Sequence, residues 1–131
     1  MIAVELVPEL KDVGESNVSR YIRYNWSLGR RNKIRFLSSP SARGYNFVKK
    51  GIANFILGDG SKGYQAQAPY DKILASAAGS ELPEAWKKQL KTGGRIVCPI
   101  GNSIWLFVKK GENDFESVEY PGFAFVPLIS K

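Results

Sequence analysis

Residues 1–10 have the sequence MIAVELVPEL, and this short stretch already points to a class of fold. The apolar run Met1–Val4 is followed by an acid, Glu5, and is typical of a short buried strand. Pro8 then begins a helix, because its missing N–H costs nothing in a first helical turn. Apolar side chains recur near helical spacing from there to Tyr21. The chain therefore begins with a strand, an acid at the strand's carboxyl end, and a helix.

The same alternation of strands and helices is predicted after residue 51. We expect strands over 52–57, 70–76 and 95–100, a helix from Pro83 to the Gly93-Gly94 pair, a hairpin of 103–108 with 115–120, and an extended tail over 123–129. Strands that alternate with helices indicate a mainly parallel sheet, and the hairpin adds an antiparallel edge. The predicted class is α/β, with residues 1–131 forming a single domain.

The composition is that of an ordinary globular protein, with 44% apolar and 24% charged residues. No apolar run approaches the roughly 20 residues of a membrane span, and the acidic N-terminus does not resemble a signal peptide. A single cysteine, Cys98, fits a reducing compartment, so we expect a cytoplasmic protein without a membrane partner. The chain has no histidine, which excludes Ser-His and Cys-His catalytic pairs and argues against a transition-metal site.

The net charge of +7 comes from one segment. Residues 22–45 contain six basic residues and no acid, whereas the remainder holds 13 Lys and Arg against 12 Asp and Glu. The sequence continues smoothly if Tyr21 is joined to Asn46, which indicates a basic insertion. A nucleic-acid partner is therefore not expected of the domain as a whole. Binding of nucleic acid or an anionic surface through 22–45 stays open as an alternative.

Two acids follow neighbouring predicted strands. Glu5 ends the first, and Asp59 lies between Gly58 and Gly60 directly after the next. Ligands of open α/β sheets bind at the carboxyl ends of the strands. An acid at this place can accept hydrogen bonds from ribose hydroxyl groups, and glycines allow the backbone to lie close to a ligand. From these residues alone, a solvated carboxylate and a plain tight turn remain alternative interpretations. We expect a structural role for Asp71, and core positions for Cys98, Trp86, Trp105 and the C-terminal phenylalanines.

Several motifs occur together in the order of one known family. They are 1–10, 58–64, 68–73, 77–79, Leu82-Pro83, 93–101 and 125–128. Over residues 1–21 and 46–131 the chain resembles protein-L-isoaspartate O-methyltransferase. The resemblance implies a Rossmann-like fold, S-adenosylmethionine as cofactor, isoaspartyl-containing proteins or peptides as partners, and methyl transfer to the isoaspartyl carboxyl in protein repair.

The family's cofactor contacts carry over to five positions. By resemblance, Glu5 is the ribose-binding acid, and Asp59 with Gly60 is the pair that contacts adenine. Ala77 and Ala78 would line the cleft near the methyl group. No residue of this chain resembles the family's catalytic serine or threonine, so no catalytic residue is predicted.

The resemblance begins at the family's second strand. The first strand with its Gly-rich turn and the catalytic loop have no counterpart in the chain. In the family's sheet order, 3-2-1-4-5-7-6, loss of strand 1 separates strands 2 and 3 from strands 4 to 7. The two strands that face the gap would then each leave a row of backbone N–H and C=O groups unpaired. We therefore expect a truncated homologue that is inactive as this chain alone. The alternative is the C-terminal half of a split methyltransferase, completed by another chain that supplies the N-terminal part.

Overall fold

The computed structural model describes residues 1–21 and 53–130, with side chains over 1–17 and 53–130. The basic insertion over 22–45, and the turn expected next to it, lie outside the described residues. The chain divides into two compact units, Met1–Gly58 and Asp59–Lys131, and each is described by itself.

The first unit has the predicted order of strand, acid and helix. Strand β1 (Ile2–Glu5) and strand β2 (Asn54–Leu57) pair in parallel, with Glu5 opposite Leu57 at their carboxyl ends. Helix α1 (Pro8–Tyr21) lies between them in the chain. Its Gly14 allows a close approach to β2, because a Cβ there would lie 3.0 Å from the ring of Phe55.

The second unit is a four-stranded sheet with one short helix. Its elements are β3 (Tyr70–Leu74), α2 (Glu84–Gln89), β4 (Leu90–Ile100), β5 (Ser103–Lys109) and β6 (Phe115–Pro121). Strands β3 and β4 are parallel and the other two pairs are antiparallel. The buried core joins α2 to one face of the sheet through Leu82, Trp86, Leu90, Ile96 and Cys98. This architecture confirms the α/β class and the antiparallel C-terminal hairpin.

The helix expected to reach Gly93-Gly94 ends earlier, at Gln89. Leu90 adopts extended backbone angles (φ −93°, ψ 136°) and pairs with Tyr70 of β3. The pairing then shifts, so that Lys72 lies opposite Arg95 and the intervening residues of β4 form an irregular stretch. Gly93 and Gly94 therefore lie within β4 and do not end a helix. Pairing of Leu90 with β3 is favoured over continuation of α2.

The sheet order also differs from the one implied by the resemblance. In the four-stranded sheet the order is β3-β4-β5-β6, so the first strand of the hairpin lies beside β4. The reason is a two-residue turn, Gly101-Asn102, which places Ser103 directly opposite Ile100. Gly101 has φ +57°, a conformation that suits glycine, and this tight connection leaves no place for another strand.

The tail over 123–129 forms no full strand. It makes one parallel bridge, between Ala78 and Pro127, and its aromatic side chains Phe123 and Phe125 are 46% and 37% exposed. The expectation that these phenylalanines belong to the core is therefore wrong. Trp86, by contrast, is a core residue, and Trp105 is half-buried against Phe107.

The described strands form two sheets, one in each unit. Among the described residues, β1 has only β2 as a strand neighbour, and β3 has only β4. None of the described helices is sufficiently long and apolar to span a bilayer.

Candidate functional site

Glu5 closes the first strand and begins the turn into α1. Its Oε1 atom accepts hydrogen bonds from the backbone N–H groups of Leu6 and Val7, at 2.9 and 3.1 Å. These two bonds fix the carboxylate at the carboxyl end of β1. Within the described part of the chain, Oε2 has no hydrogen-bond partner. An oriented carboxylate with one open oxygen is suited to accept from a hydroxyl group of a ligand.

Asp59 organises the turn that follows β2. Its Oδ1 accepts from the backbone N–H of Ser61 at 2.9 Å and from the Ser61 hydroxyl at 2.6 Å, and Oδ2 lies 3.4 Å from the Lys62 ammonium. The carboxylate caps a 3₁₀ turn, Gly60–Lys62, and its side chain is only 7% exposed. The first role of Asp59 in this structure is therefore to hold the shape of the turn.

Helix α2 fixes this turn by hydrogen bonds from two buried side chains. The indole Nε1 of Trp86 donates to the carbonyl of Gly60 at 2.8 Å. The amide of Gln89 donates through Nε2 to the Lys62 carbonyl and accepts through Oε1 from the Tyr64 N–H, both at 2.9 Å. Both side chains are 5% exposed. The backbone of residues 60–64 is thus fixed by three hydrogen bonds from one helix.

Sequence reasoning did not identify Gln89, because a glutamine in a helix carries no motif. The signal that points to it is Gly63, whose backbone angles (φ +64°, ψ −152°) are open almost only to glycine. A Cβ at Gly63 would also overlap the Gln89 amide, lying 2.8 Å from Cδ. The turn and the helix therefore fit each other closely.

Ala77 and Ala78 follow β3 at its carboxyl end and are half-buried. The backbone of Ala78 is bound on both sides by the tail, since its N–H donates to the Val126 carbonyl and its carbonyl accepts from the Leu128 N–H, each at 2.8 Å. Gly79 continues the contact by donating to the Pro99 carbonyl at 3.1 Å. This segment is held by backbone hydrogen bonds to the tail and to β4, and it carries small side chains.

The five predicted residues lie in two units. Glu5 belongs to the first, and Asp59, Gly60, Ala77 and Ala78 belong to the second. Asp59 and Gly60 occupy one turn, and the two alanines occupy the segment after β3.

The sequence singled out two further polar or nucleophilic side chains, Cys98 and Asp71. Cys98 is 1% exposed, and burial raises the pKa of its thiol to about 11, so it is protonated at neutral pH and is not a nucleophile. Asp71 pairs with Lys91 at 2.8 Å. The described residues include no group of three or more His, Cys, Asp or Glu side chains that is placed to hold a metal ion.

Comparison with known families gives a match over residues 1–131 to the model described as protein-L-isoaspartate(D-aspartate) O-methyltransferase. Curated relatives include protein-L-isoaspartate O-methyltransferases of Methanopyrus kandleri, 34% identical, and Archaeoglobus fulgidus, 32% identical. Each alignment covers all of this chain and 48% or 49% of the relative. The chain therefore spans about half the length of the curated relatives it matches.

Two solved structures are similar in fold. One is a Plasmodium falciparum protein described as a protein-L-isoaspartate O-methyltransferase in complex with S-adenosyl-L-homocysteine; the TM-score is 0.71 at 18% identity, over 99% of this chain and 52% of that one. The other is titled protein-L-isoaspartate O-methyltransferase, with a TM-score of 0.65 at 26% identity, over 96% of this chain and 33% of that one.

Proposed function

The chain belongs to the protein-L-isoaspartate O-methyltransferase family, and from that membership we propose that it retains the nucleoside-binding part of a methyltransferase domain. The family match over all 131 residues carries this proposal. The reaction of the complete enzyme would be methyl transfer from S-adenosylmethionine to isoaspartyl carboxyls of damaged proteins. We propose that residues 1–131 alone do not perform it, and that the protein works in the cytoplasm.

The family resemblance assigns residues of each unit to the nucleoside half of S-adenosylmethionine, which supplies the methyl group when bound. In the first unit, the open Oε2 of Glu5 is suited to a ribose hydroxyl, while Oε1 keeps the carboxylate oriented. In the second unit, the turn at Asp59 and Gly60, which is held in shape by Trp86, would present its backbone to the adenine edge. By the same resemblance, Ala77 and Ala78 would line the cleft near the methyl group.

The methionine half of the cofactor has no corresponding motif in these 131 residues. Glycine-rich turns bind a ligand through closely approaching backbone N–H groups, and no such turn follows a strand at the equivalent place in the sequence. Nucleoside contacts alone must offset the loss of translational freedom and the ordering of side chains. We therefore expect very weak cofactor binding by the isolated chain.

Calorimetric titration with S-adenosylmethionine tests this proposal. The 131-residue chain should show no binding in the micromolar range. Any weak binding at high concentration should disappear in Glu5→Ala and persist in Glu9→Ala, which removes an exposed carboxylate of α1 that has no place in the proposed contacts. Micromolar affinity of the chain alone, or equal effects of the two substitutions, would contradict the assignment.

A second candidate is the C-terminal half of a split methyltransferase. Its support is that β1 and β3 each have a single strand neighbour among the described residues. An exposed strand edge presents unpaired N–H and C=O groups and pairs readily with another strand. A complementing chain with the family's first strand and catalytic loop would satisfy these edges. Mixing this chain with the N-terminal part of a family member should then produce methyl transfer that neither part shows alone.

A further inference from the structure

A small cleft lies at the beginning of β4, away from the residues discussed above. Its volume is about 400 Å³, and it is lined by three cations, one carboxylate, a threonine and two glycines. The cations are Lys72, Lys91 and Arg95. Positive charge therefore dominates a concave surface, in a unit whose other lysines mostly form ion pairs or hydrogen bonds.

Two of the cations lie side by side on neighbouring parallel strands. Lys72 of β3 is in register with Arg95 of β4, so both side chains project from the same face of the sheet. Like charges at directly paired positions destabilise a sheet. In the described part of the chain neither side chain has an ion-pair partner, and both are exposed. An anion between them would remove this repulsion.

The third cation is held in place by the carboxylate. Lys91 Nζ lies 2.8 Å from Asp71 Oδ1, and this hydrogen bond holds the pKa of Asp71 below its ordinary value. An ammonium group has three donors, so Lys91 can bind Asp71 and an external anion together. The pair positions Lys91 at the rim while the cleft keeps an excess of positive charge.

The shape of the cleft depends on its glycines. A Cβ at Gly94 would lie 2.8 Å from the Lys91 carbonyl and 2.9 Å from the Leu90 side chain. Gly93 has φ +81°, which disfavours other residues. The irregular stretch between Leu90 and Arg95 therefore folds back on itself and brings Thr92 to the same cleft.

We propose that this cleft binds a phosphate group of a small soluble ligand. An arginine fork binds two phosphate oxygens, lysines add point charges, and the threonine hydroxyl adds a further donor. Lys72 precedes Ala77 by five residues, a span of up to about 16 Å in extended chain. The cleft lies toward the opposite end of β3 from the segment assigned to the cofactor, so it is a separate site.

Titration calorimetry at low ionic strength tests the proposal with tripolyphosphate as the probe and the 131-residue chain as the protein. We expect saturable binding by the unmodified chain. Arg95→Gln should raise the dissociation constant about tenfold, because it removes one strong charge-assisted contact. Lys88→Gln is the matched control, because it removes an exposed lysine of α2 that does not line the cleft; we expect a change of less than about twofold. Asp71→Asn should tighten binding, since it removes the opposing charge.

Three results would overturn the proposal. The first is the absence of saturable binding to the unmodified chain. The second is equal weakening by Arg95→Gln and Lys88→Gln, which would show attraction to overall positive charge. The third is Arg95-dependent binding to phosphatidylcholine vesicles containing phosphatidic acid without binding to tripolyphosphate, which would assign the cleft to a lipid surface. Thermal melts of each variant, unchanged by these surface substitutions, confirm that folding is intact.

Discussion

Replacing Gln89 with leucine tests whether α2 holds the turn at residues 60–64. Leucine has a similar size but leaves the Tyr64 N–H and the Lys62 carbonyl without their partners. Gln89 is 5% exposed, so water reaches these groups poorly. An unpaired buried backbone group costs about 1–3 kcal/mol, and the greater apolarity of leucine offsets part of the loss. We expect the free energy of unfolding to fall by about 2–4 kcal/mol.

Urea unfolding followed by tryptophan fluorescence measures this loss, and hydrogen exchange of the Tyr64 amide locates it. Gln67→Leu is the control, because it changes an exposed glutamine of the same loop and should alter the stability by less than about 0.5 kcal/mol. If Gln89→Leu costs no more than the control, and the Tyr64 amide exchanges at an unchanged rate, then α2 does not fix the turn.

A double-mutant cycle with Gly63→Ala tests the same contact from the other side. The added methyl group would overlap the Gln89 amide and would also occupy backbone angles that disfavour alanine. Truncating Gln89 to alanine removes the overlap and leaves the backbone cost. The two substitutions should therefore be non-additive by about 1 kcal/mol or more. Strict additivity would show that Gly63 is required for its backbone angles alone.

Three further predictions concern stability. Burial raises the pKa of Cys98 from 9.0 to about 11, so the folded chain holds this proton more tightly than the unfolded chain. The resulting stabilisation is full below pH 9, and the free energy of unfolding falls by about 2–3 kcal/mol as the pH rises through 11. A pH series of urea melts should show a smaller fall in Cys98→Ala. Lys109 is 6% exposed and donates to the carbonyls of Lys87 and Leu90. Lys109→Met should therefore lower the free energy of unfolding by about 2 kcal/mol, whereas Lys110→Met, at an exposed position, should lower it by less than about 1 kcal/mol in the same urea assay. Deleting 22–45 should leave the thermal midpoint unchanged or higher, because loop closure entropy grows only logarithmically with length; loss of the cooperative transition would show that this segment completes the fold.

The beginning of the fold could be predicted because its signals are local. The apolar run before Glu5, and Pro8 as a helix start, each act within a few residues. The core role of Cys98 was also predicted correctly, since its surroundings in the sequence are apolar.

Features that depend on distant contacts could not be predicted. Helix α2 ends at Gln89 because Leu90 finds a partner in Tyr70, twenty residues earlier in the chain. The strand order has a local cause, the two-residue turn at Gly101-Asn102, but it was expected from the resemblance alone, which implied a different order. Gln89 itself binds backbone atoms 25 and 27 residues away, which no short motif records.

Methyl transfer is the most direct measurement of whether these 131 residues lack the parts that position the methyl acceptor. An isoaspartyl peptide is incubated with radiolabelled S-adenosylmethionine and the 131-residue chain, with a boiled sample as control. We predict no incorporation above the control, because positioning the reacting groups can supply a large part of a rate enhancement and, by our proposal, no residue of this sequence takes that role. Incorporation by the unboiled chain alone, abolished in Glu5→Ala, would contradict this and show that the chain is a complete enzyme.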